Sequence, residues 1–300
     1  MDDPFFSVVI PTYNRASRIL ATLDSVFNQS FQNFEIIIVD NLSTDNTVEV
    51  LSYLINEQKI RFYQNDKNYE RSRSRNRGMG EACGKYVILL DSDDRLYPTC
   101  LEDAYTYVQS NGNIRIFHNL YELTDEKGCK YQGTYLPYSD NLKNIAYGNF
   151  LACNGVFIHK DLYQNLRFDE NTSAIGSEDW DFWLRAIAYE GDIGRIDKVN
   201  SSIVIHSGRS MENMDIERLK ITKEYILDKV ARDADLMNVY KPYYSLMRAS
   251  ANLYLGSMAN FSKKHSKAVE FAIGALKQHL PVLFSIRFWK VLIKGLIRSS

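Results

Sequence analysis

The chain is poor in the residues that build several common kinds of site. Its four cysteines, Cys83, Cys100, Cys129 and Cys153, show neither C-x-x-C pairing nor metal-ligand spacing. Reduced thiols are therefore expected in place of a disulfide framework or a structural zinc. No run of about 18 apolar residues occurs, so nothing reads as a membrane-spanning helix. The segment Met1-Asp2-Asp3-Pro4 is acidic and opens no apolar stretch, so no signal peptide is read and substrates are expected to be met in the cytoplasm. Neither sign of charge prevails, with 36 basic and 37 acidic residues and a formal net charge of -1. No global field then argues for a nucleic-acid partner, and any attraction to anions must be local. Glycine is missing where nucleotide loops need it. After Ile10 the chain reads Pro11-Thr12-Tyr13-Asn14-Arg15, which fits neither a dinucleotide fingerprint nor a P-loop, nor the glycine-rich turn of a sugar nucleotidyltransferase.

What is present is an alternation. Phe6 to Ile10, Phe34 to Val39 and Tyr86 to Leu90 are continuous apolar or β-branched runs, as strands buried on both faces of a parallel sheet require. Between them Ile19, Leu20, Leu23, Val26 and Phe27, then Val48, Leu51, Leu54 and Ile55, recur at helical spacing, with Asp45 placed to cap the second helix. The expected class is α/β, a mostly parallel Rossmann-like sheet flanked by helices. Further strands are expected at 114–118, 155–159 and 202–206, with a helix across 179–189. From about residue 215 long helical patterns follow, so a division is placed at 1–212 and 213–300. Residues 251–280 read as one helical hairpin.

Two of the strand runs end on an acid, Asp40 and Asp91, at the edge where open α/β sheets bind ligands. The second opens Asp91-Ser92-Asp93-Asp94. Three carboxylates in four residues repel one another unless a cation or basic groups offset them. A hard divalent ion, Mg²⁺ or Mn²⁺, is the natural partner, since it takes one or two protein carboxylates and fills its shell from substrate phosphates. The plainer reading is a solvated acidic turn before the helix expected from Leu96 to Val108.

Four segments in order carry a resemblance: Val8 to Arg15, Ile38 to Thr47, Arg75-Asn76-Arg77-Gly78 running to Leu90-Asp91-Ser92-Asp93-Asp94, and Ser177-Glu178-Asp179-Trp180-Asp181-Phe182-Trp183-Leu184-Arg185. Across residues 5–210 the chain resembles the family 2 glycosyltransferases of the glycosyltransferase A fold. The resemblance implies an inverting transfer from a nucleotide-sugar. It implies a nucleotide site among Pro11, Thr12, Tyr13, Arg15, Asp40, Asn41, Arg71, Arg75, Asp91 and Ser92. Tyr13 would face the base, and Asp40 would accept a uracil imide N–H. Asn41-Leu42 departs from the Asp-Gly common there. The implied metal ligands are Asp93, Asp94, Asp91 and His206. Asp179 is the implied general base with Glu178 as its rival, while Asp181 reads as structural and Trp180, Phe182 and Trp183 as a sugar-stacking wall. For Arg71 and Arg75 a solvated basic helix is the competing account, and for Tyr13 a place in the core.

Residues 281–300 hold four basic side chains and no acid. Arg287, Lys290, Lys294 and Arg298 draw one stripe beside a broad apolar face, which suits a helix on an anionic membrane surface. Packing within the chain or against a second subunit is the alternative, so an oligomer stays open. The expected partners are thus a nucleotide-sugar, a saccharide or lipid-linked saccharide acceptor of the kind used in surface polysaccharide synthesis, and the inner face of the cell membrane. Two rivals stand beside this reading: a silent saccharide- or nucleotide-binding module, and a soluble transferase acting on a protein or small molecule.

Overall fold

The computed structural model describes residues 3–112, 114–132, 141–206 and 215–297. In chain order the elements are β1 (Phe6–Thr12), α1 (Ile19–Phe27), β2 (Phe34–Asp40), α2 (Thr47–Asn56), β3 (Arg61–Gln64), α3 (Glu70–Glu81), β4 (Tyr86–Leu89), β5 (Arg95–Leu96), α4 (Cys100–Asn111), β6 (Ile116–Asp125) and β7 (Lys130–Gln132). They continue with α5 (Asn141–Tyr147), β8 (Val156–His159), α6 (Lys160–Tyr163), α7 (Glu178–Glu190), β9 (Gly194–Ile205), α8 (Ile216–Arg232), α9 (Ala234–Tyr240), α10 (Tyr244–Phe261), α11 (His265–Gln278) and α12 (Ile286–Ile297). The chain divides into two compact units. One comprises Met1–Pro137, Leu151–Glu170 and Glu190–Arg209; the other comprises Tyr138–Phe150, Asn171–Tyr189 and Ser210–Ser300. Helix α7 and the segment before residue 151 therefore belong with the C-terminal helices, which a single cut at residue 212 does not express.

The first unit is built on one sheet with strand order β3-β2-β1-β4-β8-β6-β9-β5, and β7 beside β6. The first four strands are mutually parallel. Of these, β1, β2 and β4 are buried on both faces, with Val8, Val9 and Ile10 of β1 and Ile37, Ile38 and Val39 of β2 at 0% exposure, and this is why they read as unbroken apolar runs. The edge strand β3 is only partly buried. Beyond β4 the sheet turns mixed: β8 runs antiparallel to β4 and to β6, while β9 is parallel to β6. Register sets the site. Thr12 lies opposite Asp40, and Val9 opposite Leu89, so the loops after β1, β2 and β4 leave the sheet at one carboxyl edge. Helix α3 lies tightly against β1 and β2. A Cβ added at Gly78 would stand 2.3 Å from Val9 Cγ1 and 3.4 Å from Val39 Cγ2.

In the second unit α10 and α11 pair through small residues, with Ala249, Ala259, Ala268, Ala272 and Ala275 fully buried. Helix α12 sends Phe288 and Val291 into this core. Val291 faces Gly256, where an added Cβ would come within 2.6 Å of it. The helix pattern expected over 281–300 resolves into a short 3₁₀ turn at Leu280–Phe284 and then α12. Arg298, the last cation of the expected stripe, lies outside the described residues.

Candidate active site

At the end of β1 the backbone must turn sharply. Asn14 does so with φ +52, a conformation that asparagine tolerates because its side chain bonds the local backbone. Its Oδ1 accepts from the N–H groups of Thr44 (2.8 Å) and Asp45 (3.3 Å), while its own N–H donates to Ser43 Oγ at 2.9 Å. The Arg15 N–H donates to Thr47 Oγ1 at 2.8 Å. Asp45 accepts from the Thr47 N–H, the first of α2, at 3.0 Å, but the N-cap position itself falls to Asn46, one residue later than expected. These bonds join the loop after β1 to the loop after β2. Tyr13 is left 39% exposed at the rim. Thr12 is buried, and its hydroxyl has no hydrogen-bond partner among the described residues.

Asp40 and Asn41 are committed within the chain. Asp40 is fully buried; its carboxylate accepts from the Ser43 N–H at 3.0 Å, from Gln64 Nε2 at 2.9 Å and from the Ser43 hydroxyl. Asn41 donates to Asn68 Oδ1 at 2.6 Å and accepts from Asn65 Nδ2 (3.0 Å) and the Tyr69 N–H (3.1 Å). Leu42 follows with φ +64, a position that favours glycine. The chain thus keeps the turn of an Asp-Gly pair without the glycine.

Helix α3 is not a solvated basic helix. Arg75 is 2% exposed, donates from Nη2 to Asp91 Oδ1 at 2.8 Å and lies over the Phe168 ring at 5.2 Å. Arg73 pairs with Glu170 at 3.0 Å, and Arg77 donates to Gln64 O at 2.6 Å. Arg71 is half-buried.

The acids after β4 separate by environment. Asp91 meets Arg75. Asp93 Oδ2 lies 3.0 Å from both Arg15 Nε and His206 Nε2, and its Oδ1 takes no hydrogen bond among the described residues. Asp94 is buried and turned into the sheet, accepting from the Val204 N–H at 3.0 Å and from Asn154 Nδ2 at 3.3 Å. Ser92 is buried between them. The mutual repulsion of the cluster is therefore offset by two arginines, a histidine and neutral donors. No group of three His, Cys, Asp or Glu side chains among the described residues forms a metal cage. Asp93 and His206 do offer one oxygen and one nitrogen ligand, with Asp91 two residues away, a set that suits an ion taking its remaining ligands from phosphate. Ser207, Gly208 and Arg209 lie outside the described residues.

In the second unit Asp179 stands in the first turn of α7, partly exposed. It accepts from Asn149 Nδ2 at 2.8 Å and from the Trp180 N–H at 2.7 Å. Glu178 is buried and turned back onto the Gly176 N–H at 2.8 Å, which makes it the poorer proton acceptor for an outside molecule. Asp181 is buried between Arg185 and Lys229, at 2.7 and 2.9 Å. The expected sugar-stacking wall is corrected: Trp180, Phe182 and Trp183 are 3%, 0% and 0% exposed and belong to the core. Asn149, Asn154 and Ser43, which hold these acids, carry no spacing signal in the sequence.

The glycosyl transferase family 2 model matches residues 7–167. The uncharacterised glycosyltransferase MJ1057 of Methanocaldococcus jannaschii is 31% identical over 201 residues, 64% of this chain and 69% of that relative. Two longer relatives are matched over 34% and 44% of their own length. Among solved structures, Staphylococcus aureus TarS 1-349 in complex with UDP-GlcNAc superposes with a TM-score of 0.63 at 18% identity, covering 96% of this chain and 90% of that one. Mannosyltransferase PcManGT from Pyrobaculum calidifontis, in complex with GDP-Man and Mn²⁺, gives 0.62 at 16% identity, covering 99% and 87%.

Proposed function

Because the chain belongs to glycosyl transferase family 2 and has the glycosyltransferase A fold, we propose that it moves a sugar from a UDP-sugar to a hydroxyl of a saccharide or lipid-linked saccharide, inverting the anomeric carbon in one displacement. The observation that carries this reading is the carboxyl edge of the first unit. Asp93 stands there between Arg15 and His206, with Asp91 on Arg75. That TarS is found in complex with UDP-GlcNAc, and PcManGT with GDP-Man and Mn²⁺, supports a nucleotide-sugar and a divalent ion as ligands. Pro11, Thr12 and Tyr13 bound the nucleoside, and the unpartnered Thr12 hydroxyl is the group that gains most from a ligand there. Arg15, Arg71 and Arg75 face the diphosphate, while Asp93, His206 and Asp91 hold Mn²⁺ or Mg²⁺. Asp94 serves the loop and not the ion. When bound, the ion neutralises charge developing on the leaving diphosphate. Asp179 takes the proton of the acceptor hydroxyl as that oxygen attacks. Donor chemistry is assigned to the first unit, and acceptor activation to the second, which carries Asp179.

Thermal unfolding with UDP tests the donor half. UDP at about 100 times its dissociation constant stabilises the native state by about 2.7 kcal/mol, and the gain is expected to require Mn²⁺. Asp93→Ala is expected to lose the Mn²⁺-dependent part. Equal UDP stabilisation with and without Mn²⁺ in the wild-type chain would end the metal assignment.

The acceptor is proposed to be met at the inner face of the cell membrane. On α12, Ile286, Trp289, Ile293, Leu296 and Ile297 are 46–74% exposed, beside Arg287, Lys290 and Lys294, while Phe288 and Val291 anchor the helix from below. A self-complementary dimer through this face would set cation against cation, whereas an anionic lipid surface answers both the charge and the apolar area. No described helix is long and apolar enough to cross a membrane.

A further inference from the structure

Within the second unit one cation stands out. Lys223 on α8 is half-buried, with its ammonium 4.3 Å from the ring centroid of Trp180 and 4.9 Å from that of Tyr254. No hydrogen bond or ion pair reaches it among the described residues. Trp180 is held in turn by its Nε1 on Ile145 O at 2.8 Å, so the cage is fixed on the residue next to Asp179. A lysine head group in such a place has given up water for two ring faces and for the fields of more distant charges.

Those charges are specific. Burial draws the Lys223 ammonium down to about 8; the carboxylate of Asp179 acts against this, Arg287 adds to it, and Glu178 again opposes it. Burial, and then the negative charge of Asp179, likewise push the Tyr254 phenol up. Arg287 is itself engaged, donating to Ser250 Oγ at 3.2 Å and stacking on Tyr147. Glu224, Arg248 and Lys277 line a groove together with Lys223.

We propose that Lys223 is a positioning residue whose charge keeps Asp179 ionised and so sets the acid limit of transfer. The inference rests on Asp179 being the base. In the step itself the acceptor O–H bond breaks and its proton passes to Asp179. The oxygen lone pair forms the new bond to the anomeric carbon, and the bond to the diphosphate breaks with its electrons leaving on UDP. Lys223 keeps its proton throughout and acts through the field at Asp179.

The test uses the full chain, following UDP release from pH 5 to 9 with the UDP-sugar that gives the largest thermal stabilisation. In Lys223→Met the acid limb of kcat is expected to move up by about one pH unit, read as a larger loss at the acid end of the range than at neutral pH. Near pH 9, where wild-type Lys223 has itself lost its proton, the two rates are expected to meet. Lys223→Arg is expected to restore the limb. An unmoved limb, or an equal loss at every pH, overturns the proposal. A second readout does not need activity: ¹³C NMR of the lysine ε-carbons should show Lys223 titrating near pH 8, and lower in Asp179→Asn. An unchanged midpoint overturns the coupling. Wild-type turnover in Asp179→Asn with a shifted midpoint sinks the base reading, and the catalytic consequence with it, while the pairing of the two charges stands.

Discussion

Two glycines on one helix should respond to alanine with opposite signs. Gly78 faces the sheet, where a Cβ would stand 2.3 Å from Val9 Cγ1, a fully buried group. Carbon atoms rest about 3.5–4.0 Å apart, so the overlap exceeds 1 Å and α3 must lift from β1. Overpacking of this kind costs about 1–3 kcal/mol. Replacing a helix glycine by alanine returns about 0.8–1.0 kcal/mol, so the net cost of Gly78→Ala runs from near zero to about 2 kcal/mol, and an overlap above 1 Å places it in the upper part of that range. Gly80, two residues on, has nothing within 4 Å of an added Cβ, so Gly80→Ala should show the propensity gain alone. The comparison is read from urea midpoints. Because α3 also carries Arg75 to Asp91, Gly78→Ala should weaken UDP binding as well. Equal midpoints for the two variants, or a Gly78→Ala midpoint above wild type, would refute the close packing of α3 on the sheet.

Two further outcomes are expected. His118 on β6 is 4% exposed, and burial holds its ring down to about 4 against a usual 6.5. The unfolded chain then binds this proton first as pH falls, so stability is full above about 6.5, declines between 6.5 and 4, and levels below, by about 3 kcal/mol at most. Urea midpoints across that range should show the slope, and His118→Gln should lack it; an equal slope in the variant would sink the assignment. At α12, wild-type protein should sediment with liposomes containing anionic lipid and be released by salt. Trp289→Glu with Ile293→Glu should stay in the supernatant, and unchanged partition would leave the helix a packing element.

Strands β1, β2 and β4 were legible because both of their faces are covered, so burial writes itself as unbroken apolar runs; the edge strand β3, Arg61–Gln64, is only partly buried and left no such run. Helix α3 was not, because its buried face is Ser72, Ser74, Arg75, Gly78 and Met79, residues chosen for closeness to the sheet and for the reach of Arg75. Strands β5 and β7 are two and three residues long, too short for any period. The aromatic trio of α7 misled in another way. Alternating Trp and Phe beside acids looks the same whether the rings line a cleft or fill a core, and only their burial decides.

The run Asp91-Ser92-Asp93-Asp94 shows where spacing stops being informative. Its position beyond a buried strand marks it as a site, since acids there need an offset. The three acids nevertheless serve different ends. Asp91 and Asp93 keep 33% and 16% side-chain exposure and meet charged partners, so an arriving phosphate or metal can exchange with those partners. Asp94 is sealed against the Val204 N–H, 110 residues away in sequence, and Asn154, 60 residues away. Removing its carboxylate would leave a buried backbone donor without an acceptor, which is a structural cost. The proposed metal reading therefore rests on Asp93 and His206 with Asp91, because Asp94 is engaged by a backbone N–H that no residue pattern reports.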